Sequence, residues 1–519
     1  MLDRRQLLLA GVAALGGCAH ARAPAPDAEV DAQFRDAVDR LGQRSRRTRA
    51  FLLRRFDPRR LTAEGRILYE ALLPGAEADA ALADFDWGQS GAPYPVTHRN
   101  GAYRRAAEMR ANDRLGNAVR EVAEDTGRIE GHAARGVIAP DFLLAATIPA
   151  VEAAAQRVRA RGERRYEPLA DAIAAQAETL RALLPQAGGE AGVWRLPDGE
   201  RYYALTLQMQ LGAAVDPREA HARALAHCRE LQSQADALLR AQGLTQGDVG
   251  ERLRALARDE RYLYPDSGEG KAQAVAHMNQ RLERVRPLLT GRLEGGDAPA
   301  QVRLLPAAQE AGGAMGRRQG NSYLVDLGAI RARPRWTLAS VVHHELIPGH
   351  ILQAARERAA QPAELQVRYA GGYSEGWACY AEQLADEAGA YASGGDDPVD
   401  RIGYLQWMLF RTARVVADTG IHVMRWSRER AIAEMRALQG DSIAFVSIED
   451  DVTRFCAQPG AFAAQGLAAL HIAELRERTR RAVRERFQEM RFHEALLRYG
   501  PLSPPGLEQA VRAAFAAQI

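Results

Sequence analysis

The sequence predicts a mainly α protein with a little β, organised as one large helical unit. Three observations carry that prediction. Apolar residues recur at helical spacing along most of the 519 residues, which are 47% hydrophobic and 26% charged, a balance ordinary for a globular protein with a large core. Proline, glycine and capping acids punctuate these stretches where helices should start and stop. Only 321–327, Asn-Ser-Tyr-Leu-Val-Asp-Leu, reads well as a strand.

The chain opens on an address. Asp3-Arg4-Arg5-Gln6 precedes an apolar run from Leu7 to Leu15, then Gly16-Gly17-Cys18. A charged start, a short apolar centre and small residues before a cleavage point describe an export signal over 1–18. Leu15-Gly16-Gly17-Cys18 resembles a bacterial lipobox, and the paired arginines resemble a twin-arginine signal. Cys18 is therefore expected to carry a lipid that anchors the protein at the periplasmic face of the cell envelope. Residues 19–29, rich in Ala and Pro, make a tether, and 30–519 form the helical domain.

Within that domain, Arg104 to Gly131, Pro140 to Arg161 and Pro168 to Leu184 read as amphipathic helices. A loop over 188–199 follows, and helix resumes from Pro217 to Gly243 behind a capping Asp216. Another helix runs from Lys271 to Arg286 and stops at Pro287. After the strand candidate, Pro334 and Thr337 mark the start of a further helix, with Thr337 as its cap. From there to about Leu497 the pattern is again helical.

Charge and cysteine content exclude several classes. With 69 basic and 66 acidic residues the net charge is +3, which gives no bulk argument for nucleic acid. No apolar run of about 18 residues follows the N-terminus, so no spanning helix is expected. Beyond Cys18 there are only Cys228, Cys379 and Cys456, an odd and scattered set that suits neither a disulfide scaffold nor a cysteine-based zinc site.

The stretch that carries chemistry is Val341-Val342-His343-His344-Glu345-Leu346-Ile347-Pro348-Gly349-His350. Zinc hydrolases use such parts: neutral imidazoles as ligands and a carboxylate beside them to take a proton from water. The simplest pattern, H-E-x-x-H, places its histidines at i and i+4 on one helix face. Here His344 and His350 are at i and i+6, roughly 120° apart on a regular helix. Pro348 lacks the N–H that would bond back to His344, and Gly349 relaxes the backbone, so the helix should break or bulge between Glu345 and His350. Two histidines need a third protein ligand. Glu375 lies 25 positions after His350 in Gly371-Gly372-Tyr373-Ser374-Glu375-Gly376-Trp377-Ala378-Cys379-Tyr380-Ala381-Glu382. On a wheel Glu375, Cys379, Glu382 and Asp386 fall within roughly 60°, so one acid can bind metal while the next orients an imidazole. Taken alone, that stripe also reads as a solvated acidic face.

These motifs, with Asp418-Thr419-Gly420-Ile421-His422, Trp426-Ser427-Arg428-Glu429 and Ala431, resemble the domain-of-unknown-function 885 family. Its members are bacterial, often exported proteins placed with the gluzincin-type metallopeptidases. The resemblance implies a large helical gluzincin-like fold with a deep cleft and a small sheet or hairpin beside the active-site helix. It also implies one zinc ion held by His344, His350 and Glu375, with Glu345 as general base. His343 is the competing ligand, at i and i+7 from His350, but that choice would leave Glu345 badly placed as a base. His422 leads as the donor to a developing oxyanion, with Arg411, Arg414, Tyr404 and Tyr373 behind it and Glu382, Asp418 and His343 as supporting groups. A buried structural histidine bonded to Asp418 is the other reading of His422. The strand at 321–327 is expected either to pair with an extended peptide or to be a structural hairpin.

One departure stands out. Relatives usually continue with Trp-Pro-Gly-Gln and then Tyr-Lys, whereas this chain has Gln458-Pro459-Gly460-Ala461 and Gln465-Gly466. The first expectation is thus an exported zinc peptidase acting on oligopeptides. The alternatives are a surface-anchored binding lipoprotein with weak or no catalysis, and a zinc hydrolase of a non-peptide amide or ester.

Overall fold

The computed structural model describes residues 26–89, 91–109, 114–310, 316–391, 399–440 and 447–516. Cys18 and the export signal lie outside them. The fold is mainly helical, with one small three-stranded sheet. Among the described residues no helix is long and apolar enough to cross a membrane.

The N-terminal third packs as helices, three of them capped as their sequences require: Asp27, Ser45 and Thr62 each accept a backbone N–H of the first turn. The helices expected after Pro140 and Pro168 are Asp141–Arg159 and Glu167–Ala182. The one expected from Arg104 to Gly131 is two, Ala102–Glu108 and Leu115–Ala133. The first ends at Met109, whose backbone is extended at φ −61° and ψ 142°.

Seven later helices frame the site: α1 (Pro217–Ala241), α2 (Gly268–Leu288), α3 (Arg335–Glu345), α4 (His350–Ala360), α5 (Tyr373–Glu387), α6 (Asp400–His422) and α7 (Ala461–Val483). Asp216 caps α1 by accepting the Arg218 N–H at 2.7 Å, as expected. α2 extends past its expected stop, with Pro287 in its last turn. Thr337 is not the cap of α3. It lies inside the helix and its hydroxyl donates to the Pro334 carbonyl at 2.8 Å. α6 is buried on nearly every face, as a central helix must be, and packs against α1, α3 and α7. α5 packs against α3 and α7.

The sheet runs β1 (Gln301–Leu304), β3 (Ser322–Val325), β2 (Arg317–Gln319), with β3 parallel to β1 and antiparallel to β2. The strand read from sequence is therefore the buried central one. Both of its edges are bonded, so of the two expected roles it takes the structural one, forming a hairpin with β2, and does not pair with a peptide. Of the two edge strands, β2 is three residues long and exposed at all three.

Candidate metal centre

Helix α3 stops at Glu345, Leu346 turns away at φ −111° and ψ −98°, and α4 starts afresh at His350. The break falls where Pro348 and Gly349 demand it. The Ile347–Pro348 peptide is cis, and a Cβ on residue 349 would lie 1.9 Å from the His344 carbonyl oxygen, so only glycine fits. Trp377 of α5 fastens the turn by donating its indole N–H to the Pro348 carbonyl at 3.1 Å. The two imidazoles, which a straight helix would hold apart, meet edge to face with centroids 4.7 Å apart.

Glu375, in the first turn of α5, faces both rings. Its Oε2 lies 3.4 Å from His344 Nε2 and its Oε1 3.3 Å from His350 Nε2. The ligand atoms of the three residues lie within 4.8 Å of one another. Both histidines are 2% exposed while the Glu375 side chain is 33% exposed, so the cluster opens to solvent on the carboxylate side.

Each imidazole is held from behind. His344 Nδ1 lies 2.9 Å from Glu382 Oε1 and 2.9 Å from Arg411 Nη2, and it can pair with only one of them. Arg411 already donates to Glu382 Oε1 from Nη2 at 2.9 Å and from Nε at 3.2 Å. Donation of Nδ1–H to Glu382 is thus the consistent arrangement, and it leaves the Nε2 lone pair facing Glu375. Ser340 donates to the other Glu382 oxygen. On the second ring, His350 Nδ1 is 3.2 Å from Gln353 Oε1 and 3.3 Å from Ser374 Oγ, and Gln353 donates onward to Glu357 at 3.0 Å.

The electrostatics match a cation site. Burial alone would raise the Glu375 and Glu382 pKa values. The two histidines beside Glu375, and Arg411 with His344 beside Glu382, outweigh it and hold both carboxyls below their ordinary range. Burial and the Arg411 charge oppose protonation of His344, yet the two carboxylates raise its pKa above the ordinary value. The fit to a metal can be tested on one atom. Among the described residues His350 Nε2 is buried without a hydrogen-bond partner, and it points at a carboxylate. Two imidazole nitrogens and one carboxylate, with one side open, are the donor set that zinc takes in catalytic sites. A second grouping, His344 with Cys379 and Glu382, fits less well. Glu382 already has the nearer nitrogen of His344, and burial pushes the Cys379 thiol up, against the thiolate a metal needs.

Several expected residues fall elsewhere. His422 is fully buried, its Nδ1 accepting the Val193 N–H and its Nε2–H donating to the Phe455 carbonyl, each at 3.1 Å. No N–H remains for an oxyanion, and burial pulls its pKa down to about 4. Asp418, 3.7 Å from His422, accepts the Tyr203 hydroxyl and the Gly460 and Ala463 N–H groups. Arg414 is tied to Asp451 at 2.8 Å and lies over the Phe410 and Phe462 rings. The Tyr373 hydroxyl donates to the Leu496 carbonyl at 2.8 Å. Tyr404 stacks on Tyr391, and His343 packs edge-on against the same Tyr391. Asp386 pairs with Arg401. Arg411 is at the centre, but as the partner of Glu382. The sequence reading missed Ser340, Gln353, Ser374 and Arg318, whose Nη1 donates to Glu345 Oε2 at 2.5 Å.

A cavity of about 270 Å³ lies next to this centre, lined in part by Cys379, Tyr404, Met408, Arg411 and Gly466. A side chain at 466 would meet Val415 Cγ2 at 2.4 Å, so glycine at this position lets α7 lie close on α6.

Comparison with known proteins adds a family and a fold. The family described as "Bacterial protein of unknown function (DUF885)" matches residues 12–511. No curated protein matches. Among solved structures, the "putative lipoprotein from Colwellia psychrerythraea" is 22% identical, with a TM-score of 0.75 over 95% of this chain and 92% of that one. The "putative lipoprotein of unknown function from Shewanella oneidensis" is 18% identical, with a TM-score of 0.67 over 92% of each chain. At these identities the likeness establishes a shared fold.

Proposed function

The chain belongs to the DUF885 family of bacterial proteins, and from that premise we propose that its centre is that of a zinc-dependent peptidase acting on oligopeptides. The observation that carries the reading is the convergence of His344, His350 and Glu375 across a broken helix, with both imidazoles anchored through Nδ1. In this proposal His344 Nε2, His350 Nε2 and the Glu375 carboxylate hold the ion, and the helical architecture is of gluzincin type. Zinc, when bound, supplies Lewis acidity and makes water acidic near neutral pH. Glu345, the last residue of α3, takes the proton from the attacking water and passes it to the leaving amine. Glu382 and Arg411 keep the His344 ring in the tautomer that ligates, and Gln353 and Ser374 fix the His350 ring.

The test is a diverse peptide library with mass-spectrometric readout, run on zinc-loaded wild type and Glu345→Gln. Wild type should cleave, and the variant should keep its zinc while losing about 10²–10⁴-fold in turnover. Fully zinc-loaded wild type that cleaves nothing overturns the peptidase reading.

A second reading, to which the comparisons stand closer, is a surface-anchored binding lipoprotein on the same fold. It is supported by the descriptions of the two similar structures and by Gln465-Gly466 in place of Tyr-Lys. In both readings a lipid on Cys18 holds the protein at the periplasmic face of the envelope. Cys18→Ser should then release it from membranes, and continued retention would exclude that anchor.

A further inference from the structure

We infer that Arg318 is a receptor for a carboxylate on the substrate, parked on Glu345 until that carboxylate arrives. Arg318 sits in the middle of the exposed edge strand β2, in register with Tyr323 of the buried strand β3. Its guanidinium reaches inward and donates from Nη1 to Glu345 Oε2 at 2.5 Å. The pair is lopsided: the Glu345 side chain is 6% exposed and that of Arg318 42%. Two buried cations near the centre are already paired, Arg411 with Glu382 and Arg414 with Asp451.

A guanidinium presents a planar fork that matches a carboxylate with two parallel hydrogen bonds. Glu345 takes only one of them, and among the described residues the rest of the fork has no other partner, with the Arg318 side chain 42% exposed. A guanidinium proton on Glu345 Oε2 also competes with a water proton for that oxygen. An incoming carboxylate in the plane of the fork offers Arg318 a better partner and frees Glu345 in the same movement. The ligand class is therefore a peptide bearing a carboxylate near the reacting bond, at its C-terminus or on an acidic side chain. The meaning of Glu345 here rests on the hydrolase reading, but the exchange of partners is an equilibrium that needs no turnover.

Linkage gives the test a distinctive sign. Glu345 and the ligand compete for Arg318, so removing the Glu345 charge must strengthen carboxylate binding. The probes are N-acetyl dialanine as free acid and as amide, and an end-capped tripeptide with a central aspartate or asparagine. Each is titrated calorimetrically into full-length wild type, Glu345→Gln, Glu345→Gln with Arg318→Gln, and Glu345→Gln with Arg318→Lys. Glu345→Gln should bind one acid about tenfold or more tighter than its neutral counterpart. The pair that shows the preference tells a C-terminal carboxylate from a side-chain one. Wild type should show a smaller preference, Arg318→Gln none, and Arg318→Lys part of it. Equal affinity for acid and neutral probes, no binding of any probe to Glu345→Gln, or a preference that survives Arg318→Gln overturns the inference. Failure to cleave peptides would sink the hydrolase reading and leave this comparison intact.

Discussion

Replacing Glu382 with glutamine removes one negative charge from the interior and leaves a buried cation behind. In the native fold the carboxylate takes His344 Nδ1–H at 2.9 Å, Arg411 Nη2 at 2.9 Å, Arg411 Nε at 3.2 Å and the Ser340 hydroxyl. Its side chain is 0% exposed and that of Arg411 9%, so solvent cannot take over the role. Breaking such a pair costs about 3–5 kcal/mol, because the surviving charge stays buried without a partner. A chain of this length unfolds with an entropy of about 1 kcal/mol/K, so each kcal/mol moves the thermal midpoint by about 1 °C. The variant should therefore melt about 3–5 °C below wild type in excess chelator, where no metal contributes. Its zinc affinity, measured by competition with a chromophoric chelator, should fall about 10–100-fold, because the His344 ring is no longer fixed in tautomer and direction. The two readouts separate two roles. A lower midpoint with unchanged zinc affinity would make Glu382 a purely structural anion, and no change in either would refute the pairing of Glu382 with His344 and Arg411.

Three further outcomes follow from the same geometry. His422→Ala strips the Val193 N–H of its acceptor and the Phe455 carbonyl of its donor, so it should cost about 2–5 kcal/mol in stability while leaving turnover unchanged. Lost turnover at unchanged stability would restore His422 to the reaction. Gly349→Ala puts a Cβ against the His344 carbonyl, so the turn must shift and zinc binding should be lost; full zinc content would contradict that account. Burial holds His98, His343, His422 and His493 near pKa 4 against an ordinary 6.5, so the unfolded chain takes up protons that the folded one refuses. Stability present above about pH 6.5 is then lost as pH falls towards 4. Asp418, pushed up to about 7 by burial, acts in the opposite direction, as do His344, Glu357 and Asp400, which are also raised, while His132, His221 and His471 are lowered and side with the four. The thermal midpoint should drop between pH 7 and pH 5, and a flat or rising midpoint would contradict this.

What was legible in the sequence is what short-range covalent geometry enforces. Pro348 and Gly349 dictate a break, and the break is what turns an unpromising i, i+6 spacing into two adjacent rings. Helical periodicity placed Glu375 and Glu382 on one side of α5, where one faces both imidazoles and the other backs His344. The partners that come from distant segments were not legible. Arg318 lies on a three-residue strand with no pattern of its own, and only the sheet brings it to Glu345. For the strand at 322–325 the sequence leaves peptide pairing and a structural hairpin open, because nothing in 301–304 announces the parallel neighbour that covers its second edge. His422 was placed by its position after a helical run, whereas its two hydrogen bonds come from residues 193 and 455. Arg411 was read as an oxyanion donor because sequence shows an arginine's charge but not the buried carboxylate that claims it.

Metal content measured by elemental mass spectrometry on the purified protein tests the central claim most directly. Wild type should carry about one zinc per chain, the stoichiometry of a single site with three protein ligands. His344→Ala, His350→Ala and Glu375→Ala should each lose it while remaining folded by circular dichroism, and Glu345→Gln should keep it. Zinc retained by all three ligand variants, or none bound by wild type, would contradict the assignment of this helix pair as a metal centre.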